Sequence, residues 1–385
     1  MNEIVVGTYE GFILGYTVQL KDEIKSIKQT FATHSHTSSV RCISTAERYL
    51  ATGGTDDKVV VIDLKTRKDH TVLVNHSGTI NTAAFTHNGT HLLTGSDDGS
   101  IIITRTGNWQ TEKIWNKAHE GHPVTAIAVH PSNKLALSVG GDKTLRTWNL
   151  VKGRKAFTIN LNSKNVTMPS EIKFSPSGDR FSCISDKLVD IWTISQAGIE
   201  KRISCNSKPT TVQWVTDEKL IVGLDNGNII ILTVSNTQAN TYKAHKQRVK
   251  CLHYENGILY SASSSGEFKV WSLSESKLTE ICSHNASCRI TCLTLNRLGH
   301  LIKKEESDDD GKEAEKIDTT QDSEGSHVPE EITQTSAQLP VKRKPGAYVT
   351  ISHGDDEETP KISPPPKKKF KKWNKNKKFK NKVSK

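Results

Sequence analysis

At 385 residues and 34% hydrophobic content, the chain could hold one large repetitive domain or two ordinary ones, but its apolar share is low for a chain folded throughout. No run of about 18 apolar residues occurs, which excludes a membrane-spanning helix, and the opening MNEIVVGTYEGF lacks the basic-then-apolar layout of a secretory signal. The formal charge of +11 is uneven: residues 1–302 hold 34 Lys+Arg against 26 Asp+Glu, residues 303–358 hold 7 against 16, and residues 359–385 hold 12 against none.

In chain order, the first element is IVVGTYEGFILGYTV, two strand-like runs about a turn at Glu10. Its frame is an acidic or small polar turn residue with a strand-ending residue six positions later. It opens at Glu10/Tyr16 and returns at Asp56/Ile62, Asp98/Thr104, Asp142/Trp148, Asp186/Trp192, Asn226/Leu232 and Ser265/Trp271. The clearest copy is HPSNKLALSVGGDKTLRTWNL at 130–150, an apolar run, a Gly-Gly-Asp turn and an alternating strand ending in an aromatic. Turn positions lie 39 to 46 residues apart, which matches the period of about 40–45 residues of a four-stranded WD40 blade. Seven marks predict an all-β, seven-bladed WD40-type propeller over residues 1–302.

Ahead of several turns stands a His followed four residues later by a β-branched residue, as in His36/Val40, His76/Ile80 and His245/Val249; His119 reaches Val124 with one extra residue. In the third repeat His119, Ser138, Asp142 and Trp148 are assigned to a hydrogen-bonded chain that ties the blade together. A His–Ser–Asp set recurring blade after blade describes architecture and not a catalytic triad. The remaining turn residues Glu10, Asp56, Asp98 and Asp186 mark the other blades. The fourth and fifth repeats lack the His, the second carries Thr104 where Trp is expected, and the sixth is read as using Ser265 for the acid. Residues 160–240 are therefore expected to be the least protected arc.

The N-terminal run has no His-led strand before it, and SCRITCLTL near residue 290 has no hairpin after it. Together they are expected to close the seventh blade, which protects the open edges. The seven cysteines form no paired framework and fit a reducing compartment. Cys282, His284, Cys288 and Cys292 are clustered in sequence. Placing Cys288 and Cys292 on one straight strand separates them by about 13 Å, too far for one zinc ion.

From residue 303 the pattern stops. Residues 303–358 form an acidic linker with few apolar groups, expected to be disordered. Residues 359–385 form a lysine-rich disordered tail carrying Lys367, Lys368, Lys369, Lys371, Lys372, Lys375, Lys377, Lys378, Lys380 and Lys382, interleaved with Phe370, Trp373 and Phe379. Such density reads as a nuclear and nucleolar targeting signal for an import receptor, and aromatics among lysines suit stacking on unpaired RNA bases. Thr359-Pro360 and Ser363-Pro364 resemble proline-directed phosphorylation sites beside that signal.

The stretch HPSNKLALSVGGDKTLRTWNLVKGR at 130–154, with NHSGTIN at 75–81, KAHKQRVK at 243–250 and SASSSGEFKVW at 261–271, resembles the p21-activated protein kinase-interacting proteins over roughly residues 1–300. The resemblance implies a nucleolar factor in assembly of the large (60S) ribosomal subunit, partnered by pre-60S assembly factors and pre-rRNA. It also implies binding to the regulatory region of p21-activated (PAK) kinases and restraint of their activation. A signalling adaptor with only the kinase role is the alternative. No P-loop, dinucleotide-binding glycine pattern, metal-spaced His/Cys set or nucleophile elbow occurs, so no enzyme and no cofactor is expected. The expected particle is monomeric and makes no membrane contact. By the repeat frame, the candidate binding face holds Tyr9, Thr55, Asp97, Asp225, Arg248 and Lys250.

Overall fold

A computed structural model describes residues 2–21, 24–236, 239–275 and 277–297. The acidic linker and the lysine-rich tail read from the sequence lie outside the described residues. Within them the chain forms seven four-stranded antiparallel sheets arranged as the blades of a propeller. A 3-10 turn at Asn162–Lys164 is the one helical element among the described residues.

Blades one to six follow in order over 40–73, 80–115, 124–160, 169–204, 209–243 and 249–285. Blade seven is composite: Ile290–Arg297 is its inner strand, followed outward by Asn2–Thr8, Phe12–Lys21 and Ile24–His34. Val5 lies opposite Thr294, and Val6 lies opposite both Leu293 and Leu14. The closure read from the sequence is therefore present, with one strand more: the N-terminus supplies three strands, because Ile24–His34 completes the outer edge.

Burial follows position within each blade. The middle strands are covered on both faces by neighbouring blades, so Tyr49–Gly54 and Val59–Asp63 are buried almost throughout. Val59–Asp63 reads as a near-continuous Val/Ile run for that reason, while Tyr49–Gly54 is buried through small residues, Ala51, Thr52, Gly53 and Gly54. The outer strand Arg154–Asn160 is mostly exposed and correspondingly polar. Inner strands of adjacent blades touch around the ring, as Val40–Ala46 does with Ile80–Phe85 on one side and Ile290–Arg297 on the other. Together they line a central channel of about 890 Å³.

A repeated close approach sets how the blades meet. A Cβ on Gly53 would come within 2.5 Å of Ile80, one on Gly95 within 2.7 Å of Val124, and one on Gly223 within 2.6 Å of Val249. The β-branched residue four or five places after each His is thus the side chain that opens a blade's inner strand and seats against a glycine of the blade before. Val40, Ile80, Val124 and Val249 are all fully buried, each worth about 1.5–3 kcal/mol relative to exposure.

Aromatic bulk at the interface of blades two and three comes from Trp115 stacked on Trp148, centroids 4.1 Å apart, while Thr104 is buried at the position where Trp was expected. One sequence reading needs correction. Cys288 and Cys292 do not share a strand, since the inner strand begins at Ile290 and Cys288 lies in the loop before it. No group of three or more His, Cys, Asp or Glu side chains poised for a metal occurs among the described residues. Burial pushes the Cys292 thiol up to about 12.

Candidate functional site

Each His of the repeat lies in the loop before an inner strand, and each turn acid lies between the second and third strands. Both loops emerge on one face of the ring, called here the upper face. In blade three His119 Nδ1 is 2.8 Å from Asp142 Oδ1 and Nε2 is 2.7 Å from Ser138 Oγ, while Trp148 Nε1 donates to the same Ser138 Oγ at 2.8 Å. Blades one and two repeat the pair with His36–Asp56 and Thr52, and with His76–Asp98 and Thr94.

Charge states follow from the surroundings. Burial holds His76, His119 and His245 below the usual imidazole range, despite their acidic partners. Burial pushes the Asp142 carboxyl up, but hydrogen bonds from His119 and Thr144 outweigh it and hold the group below its usual range. The network assigns a neutral imidazole donating Nδ1–H to a carboxylate and accepting the serine hydroxyl at Nε2. With every polar atom satisfied and buried, the chain of bonds is a clamp between two loops.

Blade six corrects the sequence reading. His245 Nδ1 meets Glu267 Oε2 at 2.7 Å, and Ser265 bonds only to Ser263. Glu267 stands two residues after the turn mark, where Ser100 and Thr144 in blades two and three also reach their His. A longer carboxylate from that position spans the gap, and the signal was legible as Ser-Gly-Glu. Asp186 occupies a shorter turn, with Ser185 paired directly to Leu188 and no His beneath it. Glu10 also lies at its turn, where its carbonyl oxygen accepts from His34 Nε2 at 3.2 Å.

A second repeated bond frames the mouth of the channel. The residue beside the turn mark donates its backbone N–H to the carbonyl just before the inner strand: Tyr9 to Arg289 at 2.8 Å, Thr55 to Ser39 at 2.9 Å, Asp97 to Thr79 at 2.9 Å and Asp225 to Lys208 at 2.9 Å. Arg248 takes the equivalent bond from Ser264 at 3.1 Å. Five of the six candidate face residues are therefore set around one ring of clips, and Lys250 follows as the second residue of an inner strand.

Of the six candidates, Tyr9, Asp97, Arg248 and Lys250 line a funnel of about 970 Å³ at the upper mouth. Thr55 and Asp225 sit outside its lining, held by Ser38 and Ser207. The sequence reading missed four further cations in the lining, Arg41, Lys143, Lys208 and Arg289. Six cations thus face two carboxylates, Asp97 and Asp186, and none of the six is ion-paired with a described residue. At the opposite end of the channel the charged lining is balanced, with Glu47 and Glu255 against Lys173 and Arg297, and Arg297 pairs with Glu255. The two faces therefore differ electrostatically, and the upper one can attract anions.

Similarity to known proteins agrees with this architecture. The repeat described as WD domain, G-beta repeat matches residues 25–63, 67–104, 113–149 and 236–272. These matches reach the strand-end positions of blades one, two, three and six, the four with a His–carboxylate pair. The p21-activated protein kinase-interacting protein 1-like of Xenopus laevis is 36% identical over 301 residues, covering 76% of this chain and 81% of its own. Shk1 kinase-binding protein 15 of Schizosaccharomyces pombe is 30% identical over 355 residues, covering 89% of this chain and 99% of its own. Protein MAK11 of Saccharomyces cerevisiae is 23% identical over 344 residues, covering 76% and 82%.

Proposed function

The chain belongs to the p21-activated protein kinase-interacting protein family, and on that premise we propose that it is a non-catalytic scaffold in nucleolar assembly of the large (60S) ribosomal subunit. The observation that carries this reading is the cationic upper mouth of a rigidly clamped ring. Pre-60S assembly factors dock on the ring. The tail lysines between Lys367 and Lys382 direct nuclear import through an import receptor and add electrostatic attraction to pre-rRNA. Each lysine that neutralises a phosphate contributes about −0.7 to the salt slope on single strands. The protein acts as a monomer in this reading.

The test is sucrose-gradient sedimentation of tagged full-length chain and a 1–302 version from nuclear extract. Co-migration with large precursor particles is the expected result, and the shorter version tells whether ring or tail holds it there. Full-length protein confined to light fractions would reject the assembly role.

A second reading is favoured by the names of two relatives, one for interaction with p21-activated kinase and the other for binding Shk1 kinase. Here the ring is a signalling adaptor that holds the PAK regulatory region and blocks its activation. A pulldown with that region, surviving nuclease treatment and removal of residues 303–385, supports this reading; loss under either treatment argues against it.

A further inference from the structure

We propose that the upper mouth is a docking site for an acidic, extended peptide segment of a partner protein. This rests on the scaffold reading above and names the chemistry of what the ring holds.

The cations are placed by the blade repeat. In blades five, six and seven the residue just before the inner strand is Lys208, Arg248 and Arg289 in turn, and all three are exposed. Each stands next to a buried first strand residue, Pro209, Val249 or Ile290. Each also has its own backbone carbonyl clipped to the neighbouring turn. Side chains at this position therefore start from a fixed backbone at the rim, and none of the three is ion-paired with a described residue. Lys250 and Arg41, second residues of the inner strands of blades six and one, extend the charge inward on the same arc. Tyr9 lies on this arc too, 55% exposed, with the Arg289 guanidinium 5.0 Å from its ring centroid.

The opposite arc has a different character. Asp97 of blade two and Asp186 of blade four line it on either side of Lys143 of blade three, so charge of both signs alternates there. Met168 stands there 78% exposed, with a backbone φ of 50° that non-glycine residues seldom adopt. A nucleic-acid strand carries a negative charge at every unit and would meet those two carboxylates unfavourably. A peptide can place acidic side chains on the cationic arc and an apolar side chain against Met168. The mixed funnel therefore favours a protein segment over a nucleic acid.

Two measurements on the full chain test this. The first is fluorescence anisotropy with a fluorescein-labelled peptide of Glu, Asp and Leu, and with a labelled oligouridine of equal charge. Substituting Lys208→Ser, Arg248→Ser and Arg289→Ser together is expected to weaken the peptide about tenfold, the summed effect of three rim charges. The oligouridine, held by the tail, should change less than about twofold. Unchanged peptide affinity would overturn the proposal, and a larger loss for oligouridine than for peptide would make the mouth a nucleic-acid site instead.

The second measurement needs no substitution. Carbodiimide coupling of the same peptide to the unaltered chain should produce adducts at Lys208 and Lys250, whereas adducts confined to residues 367–382 would refute the assignment. A chain that fails to travel with precursor particles yet couples at Lys208 and Lys250 would lose the assembly role and keep the docking site. Co-migration with no coupling at the mouth would do the reverse.

Discussion

Asn296 Nδ2 donates to Glu3 Oε2 at 3.0 Å, joining residues 293 apart in sequence inside the composite seventh blade. Glu3 is fully buried, and its other acceptances come from Thr30 Oγ1 at 2.5 Å and Arg67 at 2.7 Å, the latter between the outer strands of blade one. One carboxylate therefore holds the two chain segments that close the ring and the blade beside them. Glu3→Ala should leave Asn296 without its acceptor and Arg67 without its ion partner, at a cost of about 1–3 kcal/mol. The lower half of that range is expected, because Arg67 is 29% exposed and can turn to water. Urea unfolding of the full chain measures it; a midpoint equal to that of the unaltered protein would show that the strand pairing alone closes the ring. Deleting residues 2–18 should be far more severe, removing one strand and most of a second, and should send the chain into aggregates on a sizing column.

Acid should loosen the blades in a defined order. His76, His119 and His245 are held below their unfolded value by burial. The unfolded chain therefore binds protons first as pH falls, and the stability these groups carry is present above about 6.5 and lost below it. Asp56, Asp98 and Asp142 are also held low, by hydrogen bonds that outweigh burial. Their contribution has the same sign and is lost in a lower window, below about 3.8. Unfolding midpoints taken from pH 8 to pH 5 should fall mainly below 6.5. A flat profile across that range would mean that these histidines titrate alike in both states.

Glu267 separates an acid that acts from one that was only expected. His245 is fully buried on its side chain, so Glu267→Ala strands its Nδ1–H at about 1–3 kcal/mol. Ser265→Ala removes a hydroxyl that touches only Ser263 and should stay within about 0.5 kcal/mol of the unaltered protein. Equal losses for the two substitutions would return the role to the turn position.

Much of this was legible in the sequence because a blade repeat fixes both spacing and side-chain type. The seven turn marks from Glu10 to Ser265 fall at the hairpins between second and third strands. The β-branched residue after each His is the one that packs on the preceding blade. What escaped were exchanges between positions that a linear frame cannot follow. Glu267 takes over from a site two residues away. Trp115, on an outer strand, supplies bulk across a blade boundary where Thr104 is small. The mouth cations were partly missed for a similar reason: Lys208 and Arg289 are unremarkable until the ring sets blades five and seven on either side of Arg248.

The arc expected to be least protected holds an indole N–H without a partner among the described residues, and Cys183 accounts for it. Trp148 and Trp271 each donate to a serine hydroxyl, Ser138 and Ser261, two residues beyond their cross-strand partners Ala136 and Leu259. Trp192 lies opposite Phe181, so the same position in blade four is Cys183. The one nearby serine on that strand, Ser182, points to the other face and is taken by Trp214 Nε1 of blade five at 3.1 Å. The Trp192 indole N–H is left buried with no hydrogen-bond acceptor among the described residues, as is the Ser185 hydroxyl. Replacing each Trp with Phe removes the same volume in both blades, so the difference between sites reports the hydrogen bond. Trp148→Phe is expected to cost about 1 kcal/mol more than Trp192→Phe, because only the first breaks a hydrogen bond, while Ser138 keeps its bond to His119. In the same vein, amides of residues 160–240 should exchange with solvent before those of blades one to three. Equal costs for the two substitutions, together with uniform exchange around the ring, would show that the missing bond leaves blade four no weaker than its neighbours.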